Sequence, residues 1–251
     1  MTGNTNQNVD LDAGSGLVVI QATRTISRMD ITASQLAAES TNGSVSIDVF
    51  NSDLEIVEAT TLETGALVTG LSANGSLSLN VADGSLNIGQ TVQAGQSVSL
   101  EASDDVTVEA SVTGGSTHTL DITSDTGNIV DAGGIIEGYD VSLSAGGDIG
   151  VDALGASAPL TLDVLNSVSS SSGGNTALDI VTTSPVSIAG ITTGGFLELT
   201  TAGDLTVDEN IVSGGDLALC ADGDIQLGDE TGPTRGVLVA GVGADGTVGG
   251  G

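Results

Sequence analysis

Two neighbouring stretches near the C-terminal end of the chain repeat one pattern, and this pattern decides the fold. Residues 195–213 are G-F-L-E-L-T-T-A-G-D-L-T-V-D-E-N-I-V-S, and residues 215–227 are G-D-L-A-L-C-A-D-G-D-I-Q-L. Leu217 follows Leu197 by twenty residues, and the two Gly-Asp pairs have the same separation. Each unit holds two runs of alternating apolar and polar residues, which are typical of half-buried strands. A fixed period near twenty residues indicates one turn of a coil that stacks on its copies.

The same spacing continues through most of the chain. A second strand follows the first after eight or nine residues, and a weaker third apolar pair often follows the second. Connections between parallel strands favour the right hand. The predicted fold class is therefore all-β, a right-handed parallel β-helix (β-solenoid) with about 20 residues and three short strands per coil. The first strand of each coil is predicted to begin at Leu77, Val98, Leu120, Val141, Leu160, Leu178, Leu197, Leu217 and Val237.

Three segments are predicted to depart from the regular coil. Residues 34–39 are expected to form a short helical turn or a loop, and residues 58–72 insert about half a coil as a loop or an extra strand. Residues 169–174 are S-S-S-S-G-G, a low-complexity tract interpreted as a flexible corner. The predicted organisation is irregular first coils at residues 1–42, a β-helix shaft at residues 43–240 and a Gly-rich tail at residues 241–251.

Composition and charge exclude several classes of partner. The chain has 33 Asp and Glu residues against three Arg and no Lys, which gives a formal charge of -30. Neither nucleic acid nor an anionic membrane is an expected partner, because both need clustered cations. Strong acidity instead favours a self-repelling soluble surface, a cation-rich medium or bound Ca²⁺. With 38 Gly and three aromatic residues, the core must be narrow and aliphatic.

Targeting and redox signals are sparse. Cys220 is the only cysteine, so no disulfide forms within the chain. Residues 1–10 lack the basic start and apolar centre of a signal peptide. No apolar run reaches the length of a membrane helix, so membrane insertion of this segment is not expected.

A column of short polar residues precedes the second strand of each coil. Gly often comes just before it, where it is expected to supply a positive φ while the polar side chain bonds the turn backbone. The alternative is a Ca²⁺ site in which stacked carboxylates share the ion, with metal candidates Asp204, Asp224, Asp222 and Asp148. The column comprises Asp53, Ser85, Asp105, Asn128, Asp148, Ser167, Pro185, Asp204 and Asp224.

Catalytic patterns are weak. Glycoside hydrolysis needs two carboxylates across a sugar, and the adjacent pair Asp104-Asp105 is one acidic pair of that type. The chain has almost no aromatic or basic residues for a sugar site, so a solvated turn is favoured. His118, the only histidine, has no cysteine or second histidine to complete a metal site. No catalytic residue and no cofactor other than Ca²⁺ is predicted.

Three nine-residue units resemble the repeats of filamentous-haemagglutinin-type bacterial adhesins. They are L-S-A-G-G-D-I-G-V at residues 143–151, L-T-T-A-G-D-L-T-V at 199–207 and L-C-A-D-G-D-I-Q-L at 219–227. The resemblance covers roughly residues 43–240. It implies a right-handed β-helical shaft of a large exoprotein that is secreted or held at the bacterial surface. It supplies no catalytic residue.

The functional expectation is a non-catalytic structural shaft of a secreted or cell-surface adhesin or fibre, whose host or cell-surface receptor the repeat does not specify. Neither end shows an obvious cap, although repeat proteins need caps to cover apolar coil and unpaired backbone. Either neighbouring sequence continues the coil or the ends associate with other copies. The alternatives are thus a self-assembling filament subunit and a carbohydrate-active β-helix enzyme or tailspike.

Overall fold

The parallel strands of the chain stack as a β-solenoid. The computed structural model describes residues 9–50, 53–228 and 238–240. Within these ranges there is no helix; 25 strands belong to one sheet and two more form a separate hairpin. About ten turns follow one another at a spacing of about 21 residues. The predicted parallel solenoid is confirmed, and the right hand of its coil stays a prediction.

The first coils carry long strands on one side. β2 pairs in parallel with β4, and β4 pairs with both β6 and β9. The antiparallel hairpin of β7 and β8 leaves the coil between β6 and β9, within the predicted insertion. The first nine strands are β1 (Leu11–Asp12), β2 (Leu17–Ala22), β3 (Ile26–Thr32), β4 (Gln35–Ser40), β5 (Val45–Val49), β6 (Leu54–Ile56), β7 (Glu58–Thr60), β8 (Leu67–Thr69) and β9 (Leu71–Ala73).

The helical turn or loop expected at residues 34–39 is wrong, because most of this segment is strand β4. Leu36 and Ala38 are fully buried on alternate positions, and the backbone pairs with strands on both sides. Ala37, on the outer face, is also buried because the hairpin covers it.

The middle coils have three sides, as predicted. Face 1 comprises β5, β10, β13 and β16; face 2 comprises β6, β11, β14 and β17; face 3 comprises β9, β12 and β15. β18 runs from face 3 through the corner onto face 1. The next nine strands are β10 (Leu77–Val81), β11 (Leu86–Ile88), β12 (Val92–Ala94), β13 (Val98–Ala102), β14 (Val106–Val108), β15 (Val112–Thr113), β16 (Thr119–Ser124), β17 (Ile129–Asp131) and β18 (Ile136–Ala145).

In the last coils the long strand changes sides. β20 continues faces 2 and 3 as one strand, and β22 and β25 stack on it. Face 1 is divided by a corner into β23 and β24, which both pair with β21. The last nine strands are β19 (Leu160–Ser172), β20 (Thr176–Ile180), β21 (Val186–Thr193), β22 (Leu197–Thr201), β23 (Leu205–Val207), β24 (Ile211–Ser213), β25 (Leu217–Ala221), β26 (Ile225–Leu227) and β27 (Leu238–Val239).

The predicted register is correct at both ends and wrong in the middle. Leu77, Val98, Leu120 and Val141 stack as expected, and Leu197 stacks on Leu217. However, Val141 pairs with Val168 rather than Leu160. Leu197 likewise pairs with Thr176 rather than Leu178. The strand start predicted at Val237 lies outside the described residues.

A loop after residue 151 causes the error. An antiparallel bridge joins Val151 to Ser157, and Asp152 Oδ1 accepts hydrogen bonds from the backbone N–H groups of Leu154 and Ala156 at 2.9 and 2.8 Å. This loop lengthens the coil, so that residues stacked across it are 27 positions apart, as Asp140 and Ser167 are. Counting at a fixed period therefore moves the predicted strands to a different face.

The serine tract is part of a strand, so the flexible corner predicted there is wrong. Its four serines end β19, whose backbone pairs with β18 on one side and β21 on the other. Ser170 and Ser172 point inward and are buried. Ser172 Oγ lies 2.8 Å from Thr176 Oγ1 and 3.1 Å from Thr193 Oγ1, so hydroxyl groups replace aliphatic packing at this level.

The core is one narrow column of aliphatic side chains. It runs without interruption from Val18 to Ile211, and most of its members are less than 2% exposed. Burial of each Leu, Ile or Val contributes roughly 1.5–3 kcal/mol. Since each coil contacts only its neighbours, this column is what joins successive coils.

Candidate functional site

The corner between faces 1 and 2 carries a ladder of side-chain hydrogen bonds, here called the Asx ladder. Asp105 Oδ1 accepts the backbone N–H of Asn128 at 2.7 Å, and Asn128 Oδ1 accepts that of Asp148 at 2.7 Å. Asp148 Oδ1 accepts the N–H of Asn175 at 2.5 Å, and Asn175 Oδ1 accepts that of Phe196 at 3.0 Å. Each oxygen thus satisfies a donor of the next coil, which is the structural interpretation of the polar column.

The Asx ladder corrects the membership of the predicted column. Asn175 follows Asp148, so Ser167 and Pro185 do not belong to it. Ser167 lies in β19, where its Oγ donates to Asp140 Oδ1 at 2.5 Å. Pro185 precedes β21 at another corner. The shifted count through residues 152–159 explains both errors.

Glycine at this corner serves close approach rather than a positive φ. Gly127, Gly147, Gly174 and Gly195 each precede a ladder position, and none has a positive φ. A Cβ at any of them would overlap the Oδ1 atom of the ladder residue one coil below. The expectation of positive φ is therefore wrong, because the missing Cβ makes room for the side chain that bonds the following amide.

The four metal candidates lie at two different corners. Asp204 precedes β23 and Asp224 precedes β26, and Asp204 Oδ1 accepts the backbone N–H of Asp224 at 2.9 Å. Asp222 is exposed two residues before Asp224. Asp148 belongs to the Asx ladder, so the structure does not bring it to the other three. In the part of the chain that the structure describes, no three His, Cys, Asp or Glu residues are grouped so as to hold a metal. Ca²⁺ binding stays a prediction.

Neutral donors separate many of the outward carboxylates. Gln35 Nε2 donates to Glu55 Oε2 at 2.9 Å, and Thr200 Oγ1 donates to Asp179 Oδ1 at 2.6 Å from the coil above. The spacing that alternates acids with amides and hydroxyls is visible in the sequence only once the register is known. This arrangement lets a chain without Lys stack acidic coils, since a neutral hydrogen-bond donor often faces each charge.

One pair of stacked carboxylates departs from this pattern. Glu137 in β18 pairs in register with Asp163 in β19, beside a cleft of about 220 Å³ that Thr113 and Leu165 also line. Thr113 Oγ1 donates to Glu137 Oε2 at 3.3 Å. Sequence analysis missed this pair because its predicted register did not stack the two residues.

The residues considered for catalysis are engaged elsewhere. Asp105 Oδ1 accepts bonds from both the backbone and the side-chain amide of Asn128, and Asp104 Oδ1 accepts from Thr126 Oγ1 at 3.3 Å. His118 Nδ1 lies 3.2 Å from Thr117 Oγ1 at the corner before β16. Cys220 is free and exposed on the outer face of β25.

The hairpin forms the most apolar surface feature. Ala59 and Val68 pack with Ala37 in a small cluster that Val19 extends. Beyond the cluster, the hairpin tip and the outer face of β2 enclose a groove of about 530 Å³. Leu62 at the tip is fully exposed beside it.

Comparisons with known proteins add no identity. The chain matches no family model, no curated protein and no solved structure. The described ranges contain no helix long and apolar enough to cross a membrane. The resemblance to filamentous-haemagglutinin-type adhesins accordingly remains a hypothesis carried by the nine-residue repeats.

Proposed function

We propose that the chain is a length of non-catalytic structural shaft in a secreted or cell-surface bacterial adhesin or fibre. The observation that carries this proposal is the continuity of the parallel ladder, which extends from β1 and β2 to β27 around a single core. A shaft transmits position from one end to the other, and continuous backbone pairing resists bending. The work of the molecule then lies in its length and stiffness.

The polar corners support the same proposal. The Asx ladder and the Asp204–Asp224 bond place carboxylate or amide oxygens on backbone amides of the next coil. Bonds to charged acceptors contribute about 1.5–3 kcal/mol each. Residues that hold coils together are poorly placed to act on a substrate, so the acidic corners are assigned to assembly of the shaft.

Deletion of one complete coil tests this function. Residues 98–119 span β13, β14 and β15 to the residue before Leu120, which stacks on Val98. A shaft lacking this coil should fold and be shorter by about 4.8 Å, the spacing of hydrogen-bonded strands. Small-angle scattering and circular dichroism measure both. A deletion of residues 98–108 removes only part of the coil and is the matched control that should fail to fold. Unfolding of the whole-coil deletion would contradict the shaft.

The carbohydrate-active alternative has one supporting observation, the stacked pair Glu137 and Asp163. Neighbouring strands place the two Cα atoms about 4.8 Å apart, near the roughly 5–5.5 Å between carboxyl groups of retaining glycosidases. A screen over acidic and neutral polysaccharides decides the point. Product formation that disappears in Glu137→Gln and Asp163→Asn, and persists in Asp121→Asn, would establish the enzyme and overturn the shaft.

A further inference from the structure

The two ends of the described solenoid have the same cross-section. At the N-terminal end, β2 covers two sides as one strand, β3 covers face 1 and β1 adds to its far half. At the C-terminal end, β25 is the long strand, while β26 and β27 share face 1. Only the middle coils have three separate sides. An end-to-end match is therefore available between copies, although the middle of the shaft has a different outline.

The strands at the two ends also match in order and length. β1 and β27 each have two residues and lie on the far half of face 1. β2 has six residues against five in β25. Ile26 to Arg28 of β3 lack a partner strand among the described residues and correspond to the three residues of β26. If β1 stacks on β27, the coil continues without a break.

One register places every inward apolar position on another. Ala22 over Ala221 puts Val18 over Leu217 and Ile20 over Leu219. The corners after both strands have equal length, so Ile26 then lies over Ile225. Leu11 similarly lies over Leu238 when β1 covers β27. Each pair repeats the vertical packing that the described coils use internally.

The apolar side chains at the C-terminal end are uncovered. Ile225, Leu227 and Leu238 are 44, 51 and 37% exposed, whereas Leu205 and Val207 one coil earlier are fully buried. The strands there also present backbone groups without a partner strand in the described chain, and such edges favour pairing with a further strand.

Charge complementarity marks the same register. Arg24 lies in the corner after β2, and Arg28 lies in β3 next to it. Neither guanidinium makes an ion pair with a described residue, although the chain has 33 acidic residues. In the stacked register, Arg24 stands over Gly223, between the exposed carboxylates of Asp222 and Asp224.

The backbone at Arg28 directs a cation toward this end. Its φ is 46°, the one positive φ of a non-glycine residue in the described ranges. It lies where the pairing of β3 with β5 shifts register between Ile26 and Met29. Such a conformation costs on the order of 1–3 kcal/mol and persists where the surroundings or a function require it.

We propose that the C-terminal end of one copy stacks on the N-terminal end of a second copy in this register. Arg24 and Arg28 contact Asp222 and Asp224 of the neighbouring copy, and the hairpin tip at Leu62 covers the outer face of its β25. The contact is head-to-tail, so each copy leaves one end of each kind free and the assembly grows as an open filament. The inference deepens the proposed shaft function, on which it rests, by naming a second copy as the partner of the ends.

Disulfide trapping tests the register directly. Gln21 lies over Cys220 of the neighbouring copy, one strand spacing away, within the roughly 4.4–6.8 Å between Cα atoms that a disulfide spans. Under mild oxidation Gln21→Cys should form a ladder of covalent oligomers on non-reducing gels, and Cys220→Ser should abolish it. Glu39→Cys is the matched control, since Glu39 stacks one coil farther away on Gln21.

Other cross-linking results overturn the register. A ladder from Val19→Cys but not from Gln21→Cys shows a shifted contact. Dimers of the unsubstituted chain joined through Cys220 show contact between two C-terminal ends. A Gln21→Cys chain that stays monomeric at all concentrations, and sediments as a folded monomer, refutes stacking itself.

Charge reversal tests the recognition. Asp222→Arg with Asp224→Arg should weaken association about tenfold or more, because two attractive contacts become repulsive. Adding Arg24→Glu and Arg28→Glu should restore it. Glu101→Arg with Asp121→Arg changes the net charge by the same amount in mid-shaft, and should not weaken association. Weakening by this control to the same extent would refute specific recognition, as would failure of the fourfold variant to recover.

The inference and the shaft function fail separately. A single copy that is a rigid rod but does not associate refutes the stacking and leaves the shaft intact. A chain that degrades a polysaccharide refutes the shaft whatever its association state. Electron micrographs of the purified chain distinguish rods of one length from filaments.

Discussion

Gly174 offers the sharpest test of how the corners hold successive coils together. An Ala Cβ at this position would lie less than 3.0 Å from Asp148 Oδ1, the atom that accepts the N–H of Asn175. The nearest other atom, the carbonyl carbon of Gly147, is 3.2 Å away and needs only a small shift. The φ of Gly174 is not positive, so the backbone itself tolerates Ala. The conflict is therefore with one side chain.

The magnitude follows from the bond that must break. Moving the Asp148 carboxylate aside loses a hydrogen bond to a charged acceptor, worth about 1.5–3 kcal/mol. Gly174→Ala should thus lower the free energy of unfolding by about 2 kcal/mol. In an Asp148→Ala background the obstructing oxygen is gone. There Gly174→Ala should be neutral or stabilise by about 0.5 kcal/mol, because Ala restricts the unfolded chain.

A double-mutant cycle measures the coupling. The chain has no Trp, so urea unfolding is followed by circular dichroism. Gly114→Ala is the matched control, since its Cβ would meet its nearest neighbour at 3.4 Å and its φ is not positive. Equal destabilisation by Gly174→Ala in both backgrounds would refute the role assigned to the missing Cβ.

Three further predictions concern the core, the charge and the metal. Ser170 Oγ is buried without a hydrogen-bond partner, so Ser170→Ala should raise the unfolding midpoint, whereas Ser172→Ala should lower it by breaking bonds to Thr176 and Thr193; the opposite order contradicts the assignment. Raising the NaCl concentration from about 0.01 to 0.15 M should raise the melting temperature, because screening weakens repulsion within an acidic chain, and a fall would indicate attractive ion pairs. Millimolar Ca²⁺ should leave the melting temperature unchanged, since the Asp148 and Asp204 carboxylates already bind amides; a rise that Asp224→Asn removes would establish a Ca²⁺ site.

The repeat predicts the solenoid because side chains one coil apart must stack. Leu197 over Leu217 follows from spacing alone, and so does the stack of Leu77, Val98 and Leu120. Periodicity specifies a register only while the coil length is constant. The loop that Asp152 organises breaks this condition, and the alternation of apolar and polar residues is the same on every face. A count that slips to another face therefore shows no local conflict.

The site was predicted less completely than the fold. The Gly-Asp and Gly-Asn pairs identified the corner, and the bonding role of Asp148 was anticipated. The role of Gly147 and Gly174 was not, since close approach between coils depends on which residue lies below. For the same reason the pairing of Glu137 with Asp163 emerges only from the structure.

The stacked register is the central claim, and one distance tests it. Asp48 and Val212 begin and end an outward column that passes through seven pairings. Seven steps of about 4.8 Å place the two Cα atoms about 34 Å apart. Spin labels at Asp48→Cys and Val212→Cys, in a Cys220→Ser background, should give one narrow distance distribution near this value by double electron–electron resonance. A distance below about 20 Å, or a broad distribution, would contradict the account.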